Sequence, residues 1–135
     1  MKVIEMPATI RIIHAHDFIK ATPTGELNLE ESKKVLIAIA SASVPLKDFD
    51  ILLDTRLAHS TMSEKDLLYL ASELKNHFEH FPKTFPRTPK TAVLCPIEKF
   101  DSAEFFALCA KHNGYQTSAF TSVGDAYEWL TQNRT

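Results

Sequence analysis

Apolar positions along the chain switch between two spacings, and the switch points mark its elements. Residues 8–14 (ATIRIIH) and 17–22 (DFIKAT) are short and rich in β-branched side chains, as strands are, and His14 to Asp17 between them reads as a tight turn. Gly25 punctuates the chain before a helix over 28–43. Within it Leu29, Val35, Leu36 and Ile39 share one stripe, while Glu30, Lys33 and Lys34 lie in or near solvent. Asn28 and Glu31 have capping-box spacing, in which the Asn oxygen takes a free N–H and the carboxylate reaches back. Pro45 ends that helix.

The run Asp50-Ile51-Leu52-Leu53-Asp54 lacks apolar–polar alternation, so it reads as a short strand covered on both faces, as in a parallel sheet. Residues 63–80 form the clearest helix: Ser63 and Asp66 cap it, and Leu67, Leu70, Ala71, Leu74 and Phe78 recur at helical spacing. The segment 81–90 (FPKTFPRTPK) cannot continue a helix because of its prolines and reads as a loop. Residues 91–95 (TAVLC) form a further buried strand, and 102–112 a helix stopped by Asn113-Gly114. A strand over 115–120 and a helix over 122–132 follow, the latter with Val123, Ala126, Tyr127, Trp129 and Leu130 available for packing.

The resulting order, β-β-α-β-α-β-α-β-α, predicts an α/β fold with a mostly parallel five-stranded sheet and four helices, the 51–54 and 91–95 strands being central. A length of 135 residues fits one compact domain over 1–135. Fifteen basic against seventeen acidic residues leave a formal charge of −2, so no bulk basic field draws in nucleic acid or an anionic membrane. No apolar run approaches the ~20 residues of a membrane span, and the first residues lack a signal-peptide core. Cys95 and Cys109 stand in apolar contexts and read as buried thiols rather than a redox pair. A cytoplasmic location is the simplest expectation.

Candidate chemistry concentrates in Asp54-Thr55-Arg56-Leu57-Ala58-His59-Ser60-Thr61-Met62-Ser63, a loop from the carboxyl end of a central strand to a helix N-terminus. Open α/β sheets bind ligands there, and free helical N–H groups suit an anion. Asp54, Thr55, Arg56, His59, Ser60 and Ser63 are therefore the candidate ligand- or partner-binding residues. The same residues also suit an ordinary connection, with Asp54 pairing Arg56 and Ser63 capping the helix. His14 with His16, and His77 and His80 with Glu73, share strand or helix faces but offer no convergent set of three or four ligands, so no metal is expected. No catalytic triad order, nucleophile elbow or phosphate loop is present, and neither a catalytic residue nor a cofactor is expected. Lys83, Arg87 and Lys90 read as a solvated basic connector, and the aromatic residues as core or interface rather than a base-stacking platform.

Several stretches resemble STAS-like domains, in particular their bacterial SpoIIAA-like branch: ATPTGELNLEES ahead of the first helix, DILLDTR, KTAVLC, and NGYQTSAFTSVGDAYEWL with its A-x-x-W-L helix. The resemblance runs from about residue 8 to 131. It implies sequential strands after the first, with right-handed crossovers placing the main helices on one side of the sheet. The other face would then take cover from the first strand, from loops or from a second copy. It also implies a non-enzymatic regulatory or protein-interaction domain that binds a protein partner or itself. Self-association as a two-fold homodimer is expected, because aromatic and aliphatic residues are abundant for so few elements and one sheet face is hard to cover. The alternative is a binder of a small apolar or amphipathic, lipid-like ligand in the crevice near the 54–63 loop. In signalling members a serine in a D-S-S-G-like motif is phosphorylated near the position of Ser63, but this chain reads T-M-S-E-K-D there, without the preceding Asp or the glycine.

Overall fold

The computed structural model of the protein describes residues 9–15, 18–43, 49–78 and 89–132, with side chains from Phe18 onward. Its elements are β1 (Thr9–Ala15), β2 (Phe18–Leu27), α1 (Leu29–Ser43), β3 (Asp50–Asp54), β4 (Ala58–Ser60), α2 (Glu64–Phe78), β5 (Thr91–Leu94), α3 (Phe100–His112), β6 (Thr117–Phe120) and α4 (Val123–Thr131). A 3-10 turn, Ile97–Lys99, leads into α3. The sheet runs β1-β2-β3-β5-β6, so β3 is central with β5 beside it, as expected. β1 pairs antiparallel with β2, and the other pairings are parallel. Pro45, the end of the 63–80 helix, and Lys83 and Arg87 of the proline-rich loop lie outside the described residues.

Two local features depart from the sequence reading. Gly25 does not end the second strand; β2 continues through it to Leu27. The strand changes partner on the way, pairing β3 over Phe18–Ala21 and β4 over Gly25–Leu27. Pro23, with no N–H to donate, falls in the gap between the two ladders, and Gly25 takes φ 93°, a left-handed conformation that an L side chain resists. β4 lies within the 54–63 stretch, which the sequence alone presents as a loop. At the first helix, Asn28 Oδ1 accepts from the Glu31 N–H at 2.9 Å, but Glu31 does not complete the box. Its Oε1 lies 3.4 Å from Lys34 Nζ, and its buried Oε2 has no hydrogen-bond partner.

The end of α3 is a Schellman stop: the Gly114 N–H donates to Lys111 O and the Tyr115 N–H to Ala110 O, with φ 93° at Gly114. Crossovers β2–α1–β3, β3–α2–β5 and β5–α3–β6 all step the same way along the sheet, which puts α1, α2 and α3 on one face. Their core joins Ile19, Ile51 and Val93 of the strands to Val35, Ile39, Leu70, Leu74 and Phe106. Much of the opposite face is covered by α4. Leu52, Ala92 and Leu94 pack there against Ala126 and Leu130, with Phe18 meeting Tyr127 edge-on and Phe120 tilted against Trp129. Among the described residues no parallel strand follows α4, so no described crossover dictates its side. Of its five expected packing residues, Val123 is exposed. Lys90 is not a solvated connector: its Nζ donates to Trp129 O and Gln132 O, at 3.1 and 2.7 Å, and sits 5.4 Å from the Trp129 ring, closing the carboxyl end of α4.

Candidate functional site

The carboxyl ends of β3 and β5 are laced together before the loop departs. Both the N–H and the hydroxyl of Thr55 donate to Leu94 O, at 2.8 and 2.9 Å. Asp54 carries the next step of the β3 alternation after Leu52, which places it on the α4 face. There its Oδ1 accepts from the Arg56 N–H at 3.1 Å and from Nε at 3.0 Å, while Oδ2 accepts from Nη2 at 2.9 Å. Burial of Asp54 works to raise its pKa, but the Arg56 hydrogen bonds and charge, with Lys20 further away, hold it below the ordinary carboxylate value. The same pairing raises Arg56. The guanidinium is half-exposed over a carboxylate whose side chain is 6% exposed.

The candidate residues do not converge on one point. Asp54 and Arg56 form the ion pair on the α4 face. Thr55 and Ser60 line a cavity on the opposite face, His59 is exposed on β4, and Ser63 is exposed at the start of α2. There Ser63 forms a reciprocal box with Asp66: the Ser63 N–H donates to Asp66 Oδ2 and the Asp66 N–H to Ser63 Oγ, both at 3.2 Å. Among the described residues no group of three potential metal ligands comes together; Glu73 and His77 do share a helix face, at 3.9 Å. Cys95 is buried, which pushes its thiol pKa up, and Cys109 is half-buried rather than buried.

The cavity, about 100 Å³, lies where the N-terminal turns of α1, α2 and α3 meet above the carboxyl ends of β2, β3 and β5. Its inner wall is apolar, with Leu36, Leu53, Leu70, Val93 and Phe106. Three residues that the sequence reading missed stand on it: Ser32, Lys99 and Ser102. Ser32 is 5% exposed and its Oγ has no hydrogen-bond partner, an arrangement that costs about 1–3 kcal/mol if nothing fills it. The signal for Ser32 was in the chain: it occupies the same helical stripe as Leu29, Val35 and Leu36, a polar residue on an apolar face. Lys99 had none, since the turn that carries it is only three residues long.

A sequential parallel sheet with one antiparallel edge strand, three helices on one face and a closing helix on the other is a SpoIIAA-like α/β fold. Solved structures agree over nearly the whole chain. An uncharacterized protein of the DUF3478 family with a SpoIIAA-like fold, from Shewanella loihica PV-4, is 19% identical with a TM-score of 0.57, over 96% of this chain and 98% of that one. An anti-sigma factor antagonist from Mycobacterium paratuberculosis is 13% identical with a TM-score of 0.57, over 92% and 94%. No protein-family model matches the chain, and no curated protein does. Among the described residues no helix is long and apolar enough to cross a membrane.

Proposed function

We propose that this chain is one non-enzymatic, cytoplasmic regulatory domain, of bacterial type, that docks a protein partner through the loops at the carboxyl ends of β3 and β5. The observation that carries the reading is the display of Leu57 and Ile97, 69% and 73% exposed, on the connections leaving those two neighbouring strands. Large apolar side chains held out by adjacent loops are the kind of surface a partner covers. The Asp54–Arg56 pair stiffens the first loop, and the Lys99 ammonium, 3.4 Å from Ser60 O, ties the second to β4. A structural neighbour described as an anti-sigma factor antagonist supports a role exercised on another protein.

The test is affinity capture with tagged wild-type chain and with a Leu57→Ser/Ile97→Ser variant whose circular dichroism is unchanged. A protein retained by the wild type and lost by the variant supports the reading; equal retention, or none by either, overturns it. A two-fold homodimer has less motive than the sequence implied, because α4 occupies much of the face that a second copy would cover. The same loops remain available to a second copy, and sedimentation equilibrium of both proteins at micromolar concentration decides this: a wild-type monomer ends the dimer reading. A second reading, a small-ligand binder, is favoured by one observation, the apolar cavity of about 100 Å³ with the unpartnered Ser32 hydroxyl in its wall.

A further inference from the structure

The cavity is polar at one end only. In a parallel α/β sheet the helices run against the strands, so their first turns gather at the strands' carboxyl ends. Ser32 stands in the first turn of α1, Ser60 at the end of β4 and Lys99 just ahead of α3, and all three belong to that end of the wall. Leu36, Leu70, Val93 and Phe106 line the deeper part. Among the described residues Lys99 is the only charged group in the wall, no carboxylate lines it, and no described carboxylate pairs with the Lys99 ammonium. That ammonium spends one N–H on Ser60 O, at a loose 3.4 Å, and has others to give. Thr55 and Cys95 have already directed their protons to the Leu94 and Phe120 carbonyls. Ser32 Oγ has no partner at all.

Donors and one positive charge at this end, with hydrocarbon beyond them, fit a ligand that is an anion at one end and an alkyl chain at the other. We infer that the cavity binds a linear monocarboxylate, its chain on the apolar wall and its carboxylate at the polar end on Lys99 and Ser32; this rests on the small-ligand reading of the cavity. Its volume sets the length. A dry cavity of ~150 Å³ takes benzene, so about 100 Å³ takes a chain of about four carbons before the rest must lie outside.

The test is titration of the full chain at pH 7.5 with butanoate, hexanoate, octanoate and decanoate, followed by calorimetry and amide chemical shifts, beside 1-hexanol and hexylamine. Affinity should rise about fourfold per methylene from butanoate to hexanoate and flatten by decanoate. Hexanoate should bind at least about tenfold tighter than 1-hexanol, and shifts should centre on Ser32 and Lys99. Lys99→Gln should bring hexanoate down to the 1-hexanol level while leaving 1-hexanol unchanged, a split that damage to the fold would not produce. Equal binding of hexanoate, 1-hexanol and hexylamine, or a hexanoate affinity indifferent to Lys99→Gln, overturns the carboxylate assignment and leaves the ligand-binding cavity standing. Failure of every compound to bind overturns both, and leaves the protein-docking reading to its own test.

Discussion

The two faces of the sheet are packed by different means. On one, a single short helix covers the strands with large rings: Tyr127 against Phe18, Trp129 against Phe120 and under Lys90. On the other, three helices are set down by three crossovers, and that face holds the cavity of about 100 Å³ and a smaller one of about 40 Å³ between Ile39, Leu53, Leu74 and Tyr115. Consecutive residues of β3 sample the contrast. Leu52 is fully buried among Ala92, Leu94 and Leu130, whereas Leu53 is only half-buried and borders both cavities. One helix has freedom to settle onto a sheet until its rings fit. Three helices whose positions follow from chain connectivity cannot all do so, and the space they leave is where a ligand can enter.

The sharpest way to break this comparison is to truncate the two leucines. Leu52→Ala should cost about 4–5 kcal/mol and Leu53→Ala about 2–3, because the first opens a new void and the second enlarges one whose contacts are already missing. Equal losses in urea unfolding would show the faces to be packed alike. The converse substitution adds atoms. Ala92→Val, fully buried under α4, should cost about 1–3 kcal/mol by overpacking, while Val35→Leu, pointing into the larger cavity, should be neutral or stabilising. A destabilising Val35→Leu would mean that the cavity closes in solution.

The ion pair at the sheet's end gives the next effect. Arg56→Ala strands a buried carboxylate with only the residue-56 N–H and should cost about 1–3 kcal/mol, at the lower end because the guanidinium is half-exposed. Asp54→Asn should cost less at pH 7. A carboxyl whose folded pKa lies below its unfolded value of about 3.9 contributes stability that is complete above that value and is lost as pH falls through the lower folded one. The urea midpoints of wild type and Asp54→Asn should therefore differ at pH 7 and draw together as pH falls below the ordinary carboxylate value. Parallel curves across that range would remove Asp54 from the acid response.

Much of this was legible in the chain, and what was not has identifiable causes. The βα alternation, the stripe of Leu67, Leu70 and Leu74 and the stop at Gly114 are local signals, and tertiary packing agrees with them. β4 has three residues, Ala58-His59-Ser60, too few for any period, and its partner segment passes through Pro23 and Gly25, which read as breakers. The side taken by α4 is set by which face lacks a helix, a property of the assembled sheet. The spread of the 54–63 residues over several surfaces has a related cause. Strand alternation sends Asp54 and Thr55 to opposite faces, so neighbours in sequence serve different surfaces.

The smallest effects compare the caps of a helix from each face. At α2 the Ser63–Asp66 box is reciprocal; at α4 Ser122 Oγ accepts from the Asp125 N–H at 3.3 Å, with no return bond among the described ones. Ser63→Ala should therefore cost about 1–2 kcal/mol and Ser122→Ala about 0.5–1. Because the two bonds of the box stand or fall together, Ser63→Ala/Asp66→Ala should cost less than the sum of the single changes, and strict additivity would show that the bonds act separately. Ser63→Asp should be close to neutral, since Asp caps as well as Ser and suits the positive end of the helix dipole. Its new carboxylate would stand beside that of Asp66, already accepting from the residue-63 N–H. If thermal unfolding shows Ser63→Asp as costly as Ser63→Ala, repulsion from Asp66 outweighs the cap. Added negative charge at this helix start would then loosen α2 and the cavity wall that Leu67 and Leu70 supply.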